Sequence, residues 1–297
     1  TEVPKIFLRI KIDGGNLFDD KKRLGLSAIT ASLMNESTKN YSSEEIENEL
    51  AKIGSEITFS SSGRSTTIFM SSLTKNIDKT LEILQEKLFN PDFNEEDLSI
   101  VKKQYIESIN SQEKNAQFVA RDRFEKILFG ETPFGLSADK KSINKIKIKH
   151  VENYYKSYYS PSVAEISIVG DINKDKIIQK LGFLNSWKIK NISIPKEFEF
   201  PEDKETQIYL VDKPGSSQSV IYLGHKSNKY DADGEFFKSK IMNFPLGSGA
   251  SARLFLNLRE DKGYTYGVYS FFTGDKDKGA FVVFSSVKSE ATDSALV

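Results

Sequence analysis

The sequence predicts an α+β fold made of two homologous modules, each an antiparallel or mixed sheet covered by helices. Three observations lead to this prediction. The chain has 297 residues, which exceeds the usual size of one domain. Its first part reads in the order strand, helix, hairpin, helix. An apolar strand pattern then recurs, since Val220 lies 214 positions after Ile6 and Val287 lies 214 positions after Leu73, as expected for an internal duplication.

The first module begins with a strand and two helices. Residues 5–12 alternate in polarity and are rich in Ile, Phe and Leu, which predicts a strand ending at the turn signal of residues 13–16. Apolar residues recur at helical spacing over 24–34 and predict a helix. Ser42 followed by Glu45 is typical of a capping box, so a second helix should run from there through about Lys52.

A hairpin and two further helices continue the module. Residues 57–73 are rich in Ser, Thr, Ile and Phe and are interrupted by a Ser-Ser-Gly-Arg bend at 61–64, which predicts two paired strands. Apolar side chains at helical spacing predict an amphipathic helix over 76–89, stopped by Asn90-Pro91. A long charged helix should then run from about Asn94 past Ser108.

The rest of the first module is predicted as a helix from Val151 to the proline at 161, a short buried strand over 164–169 and a helix starting at 175. Two prolines bracket a charged stretch without helical period at 195–204, which is typical of an extended linker. We therefore predict a first module over 1–194, a linker over 195–204 and a second module over 205–297 that is incomplete at its C-terminus.

Composition excludes several classes of function. Lys+Arg and Asp+Glu are equal at 42 each, which removes the long-range electrostatic argument for a nucleic-acid or acidic-membrane partner. The chain contains no cysteine, so thiolate chemistry and cysteine-ligated metals are absent. No apolar run approaches the roughly 20 residues that span a bilayer. We interpret the chain, which starts at Thr1, as a soluble, trimmed fragment and favour a periplasmic or exported location over the cytoplasm.

The most informative segment runs from Leu254 to Gly267 and contains Arg259 and Tyr266. Arginine offers a fixed fork of donors and tyrosine a hydroxyl donor, both suited to a peptide carbonyl or to the oxyanion formed when water attacks it. A glycine-rich turn at 247–249 permits close backbone approach and could shape a wall of the same cleft. The alternative is structural, with Arg259 in an interhelical salt bridge and Tyr264, Tyr266 and Tyr269 as an aromatic stripe on a strand.

Other candidate residues give weaker evidence of a function. His150 and His225 are the two histidines of the chain, and they lie about 75 residues apart without a ligand-like pairing. Lysines alternate with apolar residues over 140–149, as on a basic solvated face, and we do not expect nucleic acid to bind there. The serines of 60–65 and 216–219 have no His–Asp companions.

The duplication and four segments of the sequence, 25–38, 53–57, 158–171 and 246–267, make the chain similar to the pitrilysin/insulinase family of zinc metallopeptidases. The resemblance covers nearly the whole chain, and the segments occur in the family's order. It implies a half of the family's clamshell fold. It also implies that Arg259 and Tyr266 are the pair that holds the substrate peptide.

The same resemblance places the family's H-x-x-E-H zinc motif on Ala28, Ala31 and Ser32. A methyl group has no lone pair and a serine hydroxyl is a poor zinc ligand, so we expect no metal or cofactor in this chain. Glu107 falls near the family's third ligand, where a solvated helix charge is the simpler interpretation.

The function implied is that of a zinc-free subunit of a heterodimeric metalloendopeptidase, inactive alone, with zinc in a homologous partner. Arg259 and Tyr266 would then bind unfolded peptide and stabilise the oxyanion at the partner's site, with the strand around 57–62 as a candidate edge for substrate pairing. The alternative is a structural or peptide-binding pseudopeptidase with no role in proteolysis, and a homodimer is possible. An enzyme active alone would need a metal site that the sequence does not contain.

Overall fold

The computed structural model describes residues 4–202 and 205–297. They form two compact units. Unit 1 comprises the described residues up to Ile109 together with Ser137–Pro195, and unit 2 comprises Asn110–Leu136 with the described residues of Lys196–Val297. Residues 203 and 204, at the end of the predicted linker over 195–204, lie outside the described residues, and that linker stays a prediction.

Seven strands and eleven helices make up the described part of the chain. The strands are β1 Lys5–Asp13, β2 Glu56–Ser62, β3 Ser65–Leu73, β4 Ala164–Gly170, β5 Gln218–Lys226, β6 Thr265–Phe272 and β7 Ala280–Lys288. The helices are α1 Leu26–Leu33, α2 Ser43–Lys52, α3 Ile77–Phe89, α4 Glu95–Lys114, α5 Ala116–Phe129, α6 Lys140–Asn144, α7 Ile148–Tyr158, α8 Lys174–Lys180, α9 Glu235–Gly247, α10 Arg253–Phe255 and α11 Thr292–Leu296. The predicted α+β class, with antiparallel sheets covered by helices, is confirmed.

Unit 1 contains a four-stranded antiparallel sheet in the order β2-β3-β1-β4. Strand β1 is a central strand, and its burial alternates along the chain. Ile6, Leu8 and Ile10 are fully buried, while the residues between them face solvent. Ile10 lies opposite Ile68 of β3 on one side and Ile166 of β4 on the other. One face of this sheet is therefore continuous with the hydrophobic core beneath the helices.

Strand β4 corrects a prediction. We expected the strand at 164–169 to be buried, but it is the outer strand of the sheet, and Ile166 and Val169 are 40% and 71% exposed. An apolar run alone does not tell a central strand from an edge strand, since the run itself contains no information about which neighbours pair with it. The structure thus leaves this edge open to solvent.

The helix boundaries of unit 1 follow local signals. Ser42 accepts a hydrogen bond from Glu45 N, and the Glu45 carboxylate accepts one from Ser42 N, so the predicted capping box starts α2. Helix α3 buries the predicted apolar stripe and ends at Asn90, next to Pro91. These agreements show that caps and proline are reliable boundary signals in this chain.

Unit 2 repeats the order of unit 1 around a three-stranded antiparallel sheet, β5-β7-β6. Strand β5 begins 213 positions after β1, and β7 begins 215 positions after β3, which agrees within one residue with the offset of 214 in the sequence. Helix α9 packs on β6, and α5 packs on β5. The duplication therefore extends from sequence to topology.

Candidate functional site

Arg259 lies in a short π-helix, Leu256–Asp261, that continues directly from α10. Its guanidinium Nη1 lies 3.5 Å from the carboxylate Oε1 of Glu260, and its side chain is 41% exposed. Gly263, with φ of 63°, turns the chain after the π-helix, and the N–H of Tyr264 donates back to the carbonyl of Leu258 over 3.0 Å. Arg259 is consequently held at a helix end that faces solvent.

Tyr266 is the second residue of β6, the outer strand of the sheet of unit 2, and it is 87% exposed. The pairing with β7 shifts between Thr265 and Val268, so that the β6 strand contains one extra residue, a β-bulge. The Thr265 hydroxyl donates to the carbonyl of Ser286 over 2.7 Å and accepts from the N–H of Gly267 over 3.1 Å. Tyr266 thus lies within the bulge, with its side chain in solvent.

The end of α9 holds β6 from the other side. Asn243, which is 3% exposed, donates to the carbonyl of Ser270 over 2.6 Å and accepts from the Ser270 hydroxyl over 2.5 Å. Gly247 lies so close to Ser270 that a Cβ on residue 247 would overlap its backbone N and hydroxyl. The close approach expected from the glycine turn at 247–249 is thus present at Gly247, while a Cβ on Gly249 would face open space.

Arg259 and Tyr266 are separated by a three-residue connection, 262–264, between the π-helix and β6. Among the described residues, no hydrogen bond joins their side chains, and the Tyr266 hydroxyl has no hydrogen-bond partner. The structural alternative differs from what is observed, because the ion pair of Arg259 is with its sequence neighbour and not with another helix. Tyr264, half-buried, lies instead beside the Lys262 ammonium, 5.9 Å from its ring centre.

The residues that the resemblance assigns to the zinc motif, Ala28, Ala31 and Ser32, lie on α1. Ala31 is fully buried, and Ala28 and Ser32 are partly buried. The described residues contain no group of three or more His, Cys, Asp and Glu that could hold a metal ion. Glu107, on α4, is exposed. Two methyl groups and a hydroxyl do not provide the imidazole and carboxylate ligands that zinc needs, so the residues of this chain do not fit the metal of active relatives.

A partly buried acid, Asp19, supports α1 and could not be recognised from the sequence. The carboxylate of Asp19 accepts hydrogen bonds from the N–H groups of Gly25 and Ser27, each over 2.8 Å, at the start of the helix. Burial raises the pKa of Asp19 to about 6, against the opposing effect of these hydrogen bonds. Asp19 lies six and eight positions before its partners, so the usual capping pattern of adjacent residues could not reveal it.

The two histidines lie in different settings. The His150 Nδ1 accepts a hydrogen bond from the N–H of Lys147 over 3.0 Å at the start of α7. Partial burial, with the positive charges of Arg23 and Lys149, lowers the pKa of His150. His225 is on β5, where its Nδ1 lies 2.8 Å from the carbonyl of Lys226 and its ring packs against Phe281.

These features define an α+β fold of antiparallel sheets covered by helices, whose described residues contain no group of side chains suited to a metal ion. Residues 3–140 match the family model described as insulinase (peptidase family M16), and residues 145–296, just over half of the chain, match the model described as the peptidase M16 inactive domain. The chain belongs to peptidase family M16, the pitrilysin/insulinase family.

Curated relatives include a non-peptidase homolog, YmxG, from Helicobacter pylori, 25% identical over 269 residues, which cover 90% of this chain and 62% of the relative. An uncharacterized zinc protease, also called YmxG, from Bacillus subtilis is 24% identical over 285 residues, covering 95% of this chain and 68% of the relative. The chain therefore spans between about three fifths and two thirds of the length of these relatives.

Solved structures show the same fold. A peptidase M16 inactive domain from Pseudomonas fluorescens superposes with a TM-score of 0.88 at 23% identity, covering 99% of this chain and 72% of the other. A protease from Helicobacter pylori superposes with a TM-score of 0.85 at 20% identity, covering 99% and 73%. In the part of the chain that the structure describes, no helix has the length and apolarity to cross a membrane.

Proposed function

We propose that this chain is the zinc-free subunit of a heterodimeric zinc metalloendopeptidase. In this proposal it is inactive alone, and a homologous partner carries the intact H-x-x-E-H helix. Arg259 and Tyr266 bind the peptide substrate and stabilise the oxyanion at the partner's site. The chain itself contributes no metal ligand, in keeping with Ala28, Ala31 and Ser32 at the family's zinc positions.

The observation that carries the proposal is the exposure of Tyr266. A tyrosine kept for packing is mostly buried, whereas Tyr266 is 87% exposed on a bulge that is fixed by hydrogen bonds. Its hydroxyl has no partner among the described residues, so it is available as a donor to a ligand. A rigid backbone with an unused donor is what a binding residue requires.

Arg259 supports the same role through charge. Its partner, Glu260, is 54% exposed, and an ion pair at 3.5 Å between exposed side chains contributes little. A peptide carbonyl or an oxyanion can therefore compete for the guanidinium at small cost. Hydrogen bonds from a charged donor are roughly twice as strong as neutral ones. Arg259 would stabilise the negative charge of the ligand, and the Tyr266 hydroxyl would orient the bound oxygen by a hydrogen bond.

Strand β2 is a second place where substrate could bind. Because the sheet order is β2-β3-β1-β4, Glu56–Ser62 has one edge to which no strand of the described residues is paired. An extended peptide can add to such an edge through main-chain hydrogen bonds, which recognise any sequence. An unfolded polypeptide is therefore the substrate class that we propose.

The second candidate function is a structural or peptide-binding pseudopeptidase without a role in proteolysis. The name of the Helicobacter pylori relative, a non-peptidase homolog, favours this candidate. It differs from the first in one testable respect, since it requires no zinc-bearing partner and no effect of Arg259 on cleavage.

The experiment is an affinity pull-down of the complete protein from its native extract. Mass spectrometry identifies what is bound, and a peptide-cleavage assay is run on the eluate with and without a zinc chelator. A stoichiometric partner with an intact H-x-x-E-H helix and chelator-sensitive cleavage is the expected result. Absence of both would favour the pseudopeptidase and would remove the proposed roles of Arg259 and Tyr266.

A further inference from the structure

A group of five lysines in unit 1 is not used by the proposed function. These lysines, called here the lysine face, are Lys140, Lys141, Lys145, Lys147 and Lys149, and all five are exposed. The stretch 140–150 contains no acidic residue, although the chain as a whole has a formal net charge of zero. The overall neutrality of the protein therefore hides a local concentration of positive charge.

The fold places these lysines on the solvent side of one segment. Ser142, Ile143 and Ile146 lie between them in sequence and are 5%, 0% and 1% exposed, so this side of the segment is anchored in the core. The lysines extend on the opposite side from α6, from the connection 145–147 and from the first turn of α7. Rigid anchoring on one side keeps the charges together on the other.

A second basic segment joins the lysine face in space. Arg23, in the stretch Lys21-Lys22-Arg23 before α1, is close enough to His150 for its charge to help lower the pKa of that histidine, as the charges of Lys147 and Lys149 also do. Helices α1 and α7 are in contact, which brings the two segments to the same region. The resulting patch combines residues that are more than 100 positions apart in sequence.

Nearby acidic groups are already engaged. Asp20 pairs with Arg23, Glu152 pairs with Lys156 over 3.2 Å, and Asp139 accepts a hydrogen bond from the N–H of Ser142 over 2.7 Å. In the described part of the chain, none of the five lysines forms an ion pair. The excess positive charge is thus directed to solvent, where a partner can meet it.

The type of side chain indicates the type of partner. Lysine is a flexible point charge, whereas the planar fork of arginine suits specific recognition of a single carboxylate or phosphate. The lysine face contains no aromatic side chain on which a nucleic-acid base could stack. We propose that the lysine face binds an anionic lipid surface, holding unit 1 against a membrane without crossing it.

The expected strength of membrane binding follows from the electrostatic attraction between lysine and anionic lipid. Each lysine close to an anionic bilayer strengthens binding about fivefold, so five lysines suffice for reversible attachment at low salt. The attraction acts over the Debye length, about 10 Å at 0.1 M salt, and weakens as salt rises. The attachment is therefore reversible and dependent on both lipid charge and ionic strength.

The test is co-sedimentation of the full chain with vesicles of phosphatidylcholine alone or mixed with phosphatidylglycerol. We expect binding to the mixed vesicles, no binding to the neutral ones, and release when salt rises from about 50 mM to about 500 mM. The test variant combines three charge reversals: Lys145→Glu, Lys147→Glu and Lys149→Glu. All three side chains are exposed, and glutamate at 149 lies in the first turn of α7, where it is favourable to the helix, so this variant should fold.

The control variant makes the same change in net charge at exposed lysines elsewhere: Lys39→Glu, Lys103→Glu and Lys240→Glu. We expect the test variant to lose at least about a hundredfold in partition to anionic vesicles and the control to lose less than about tenfold. Equal losses for the two variants, or no binding of the unmodified chain, would overturn the proposal. Tighter binding to poly-glutamate than to the anionic vesicles at an equal charge concentration would also overturn it, in favour of an acidic polypeptide as partner.

Discussion

Strands β5, β7 and β6 of unit 2 repeat the order of β1, β3 and β2 in unit 1, but the two sheets differ in how well their helices cover them. Ile6 of β1 is fully buried, while Val220, its counterpart on β5, is only partly buried. Ile29 of α1 is also fully buried, while Ile241 of α9 is 59% exposed. The apolar side chains of unit 1 are thus buried in a core, whereas some of those in unit 2 are exposed. The candidate binding residues, Arg259 and Tyr266, are in the less covered unit.

The first prediction tests this contrast in stability. Ile6→Ala should lower the free energy of unfolding by about 2–5 kcal/mol, because it leaves a cavity in a close-packed core. Val220→Ala, at the equivalent register position opposite Ser286, should cost about 1 kcal/mol, because Val220 is only partly buried. Urea denaturation followed by circular dichroism measures both. Equal losses in the free energy of unfolding would mean that the coverage of the two sheets by helices does not determine their stability.

A second prediction concerns the pH dependence of unit 1. The folded Asp19 carboxyl holds its proton more tightly than the unfolded one, because its pKa is raised from 3.8 to about 6. Stability from this group is therefore present below about pH 4 and lost as pH rises through 6, by roughly 3 kcal/mol at most. Urea denaturation at pH 4 and pH 7 should show this loss relative to Asp19→Asn.

The matched control for that experiment is Asp231→Asn. Asp231 is exposed and accepts a hydrogen bond from the N–H of Gly234 over 2.9 Å just before α9. Its replacement should leave the difference between pH 4 and pH 7 as it is in the unmodified protein. If Asp19→Asn behaves like this control, burial of Asp19 has no effect on stability.

The third prediction tests what holds β6 in place. Asn243→Ala removes both side-chain hydrogen bonds to buried Ser270 and should cost about 1–3 kcal/mol. Asn48→Ala, on the exposed side of α2, should change stability by less than about 0.5 kcal/mol. The measurement is again urea denaturation, and an equally small effect at both positions would show that Asn243 does not fix β6.

The smallest effect is expected at Tyr266. Tyr266→Phe removes a hydroxyl that has no partner among the described residues, so stability should change by less than about 0.5 kcal/mol. Thermal unfolding of the isolated protein checks this. A clear loss of stability would mean that the hydroxyl has a structural role, and the comparison between a structural unit 1 and a binding unit 2 would weaken.

Much of the fold could be predicted because its signals are local. Alternating polarity predicted β1, a capping box predicted the start of α2, and a proline predicted the end of α3. Helix α5 was missed, since its polar and aromatic residues lack a clear helical stripe. The exposure of β4 was also missed, since edge and centre depend on pairing with distant strands.

The candidate site shows the same limit. The resemblance to the family pointed to Arg259 and Tyr266, and to the loss of the zinc motif. The bulge that exposes Tyr266 depends on a register shift against β7, which no local pattern contains. The Asp19 support of α1 and the convergence of Arg23 with His150 likewise arise from contacts between separate segments.

The most direct test of the central claim is peptide cleavage by the complex that contains this chain and its proposed partner. The complex carrying Arg259→Ala should lose about 100- to 1,000-fold in kcat, the range found when one oxyanion donor is removed, while the two chains still co-purify. Unchanged cleavage by an intact complex would contradict the claim that unit 2 contributes to catalysis, and would identify this chain as a structural subunit.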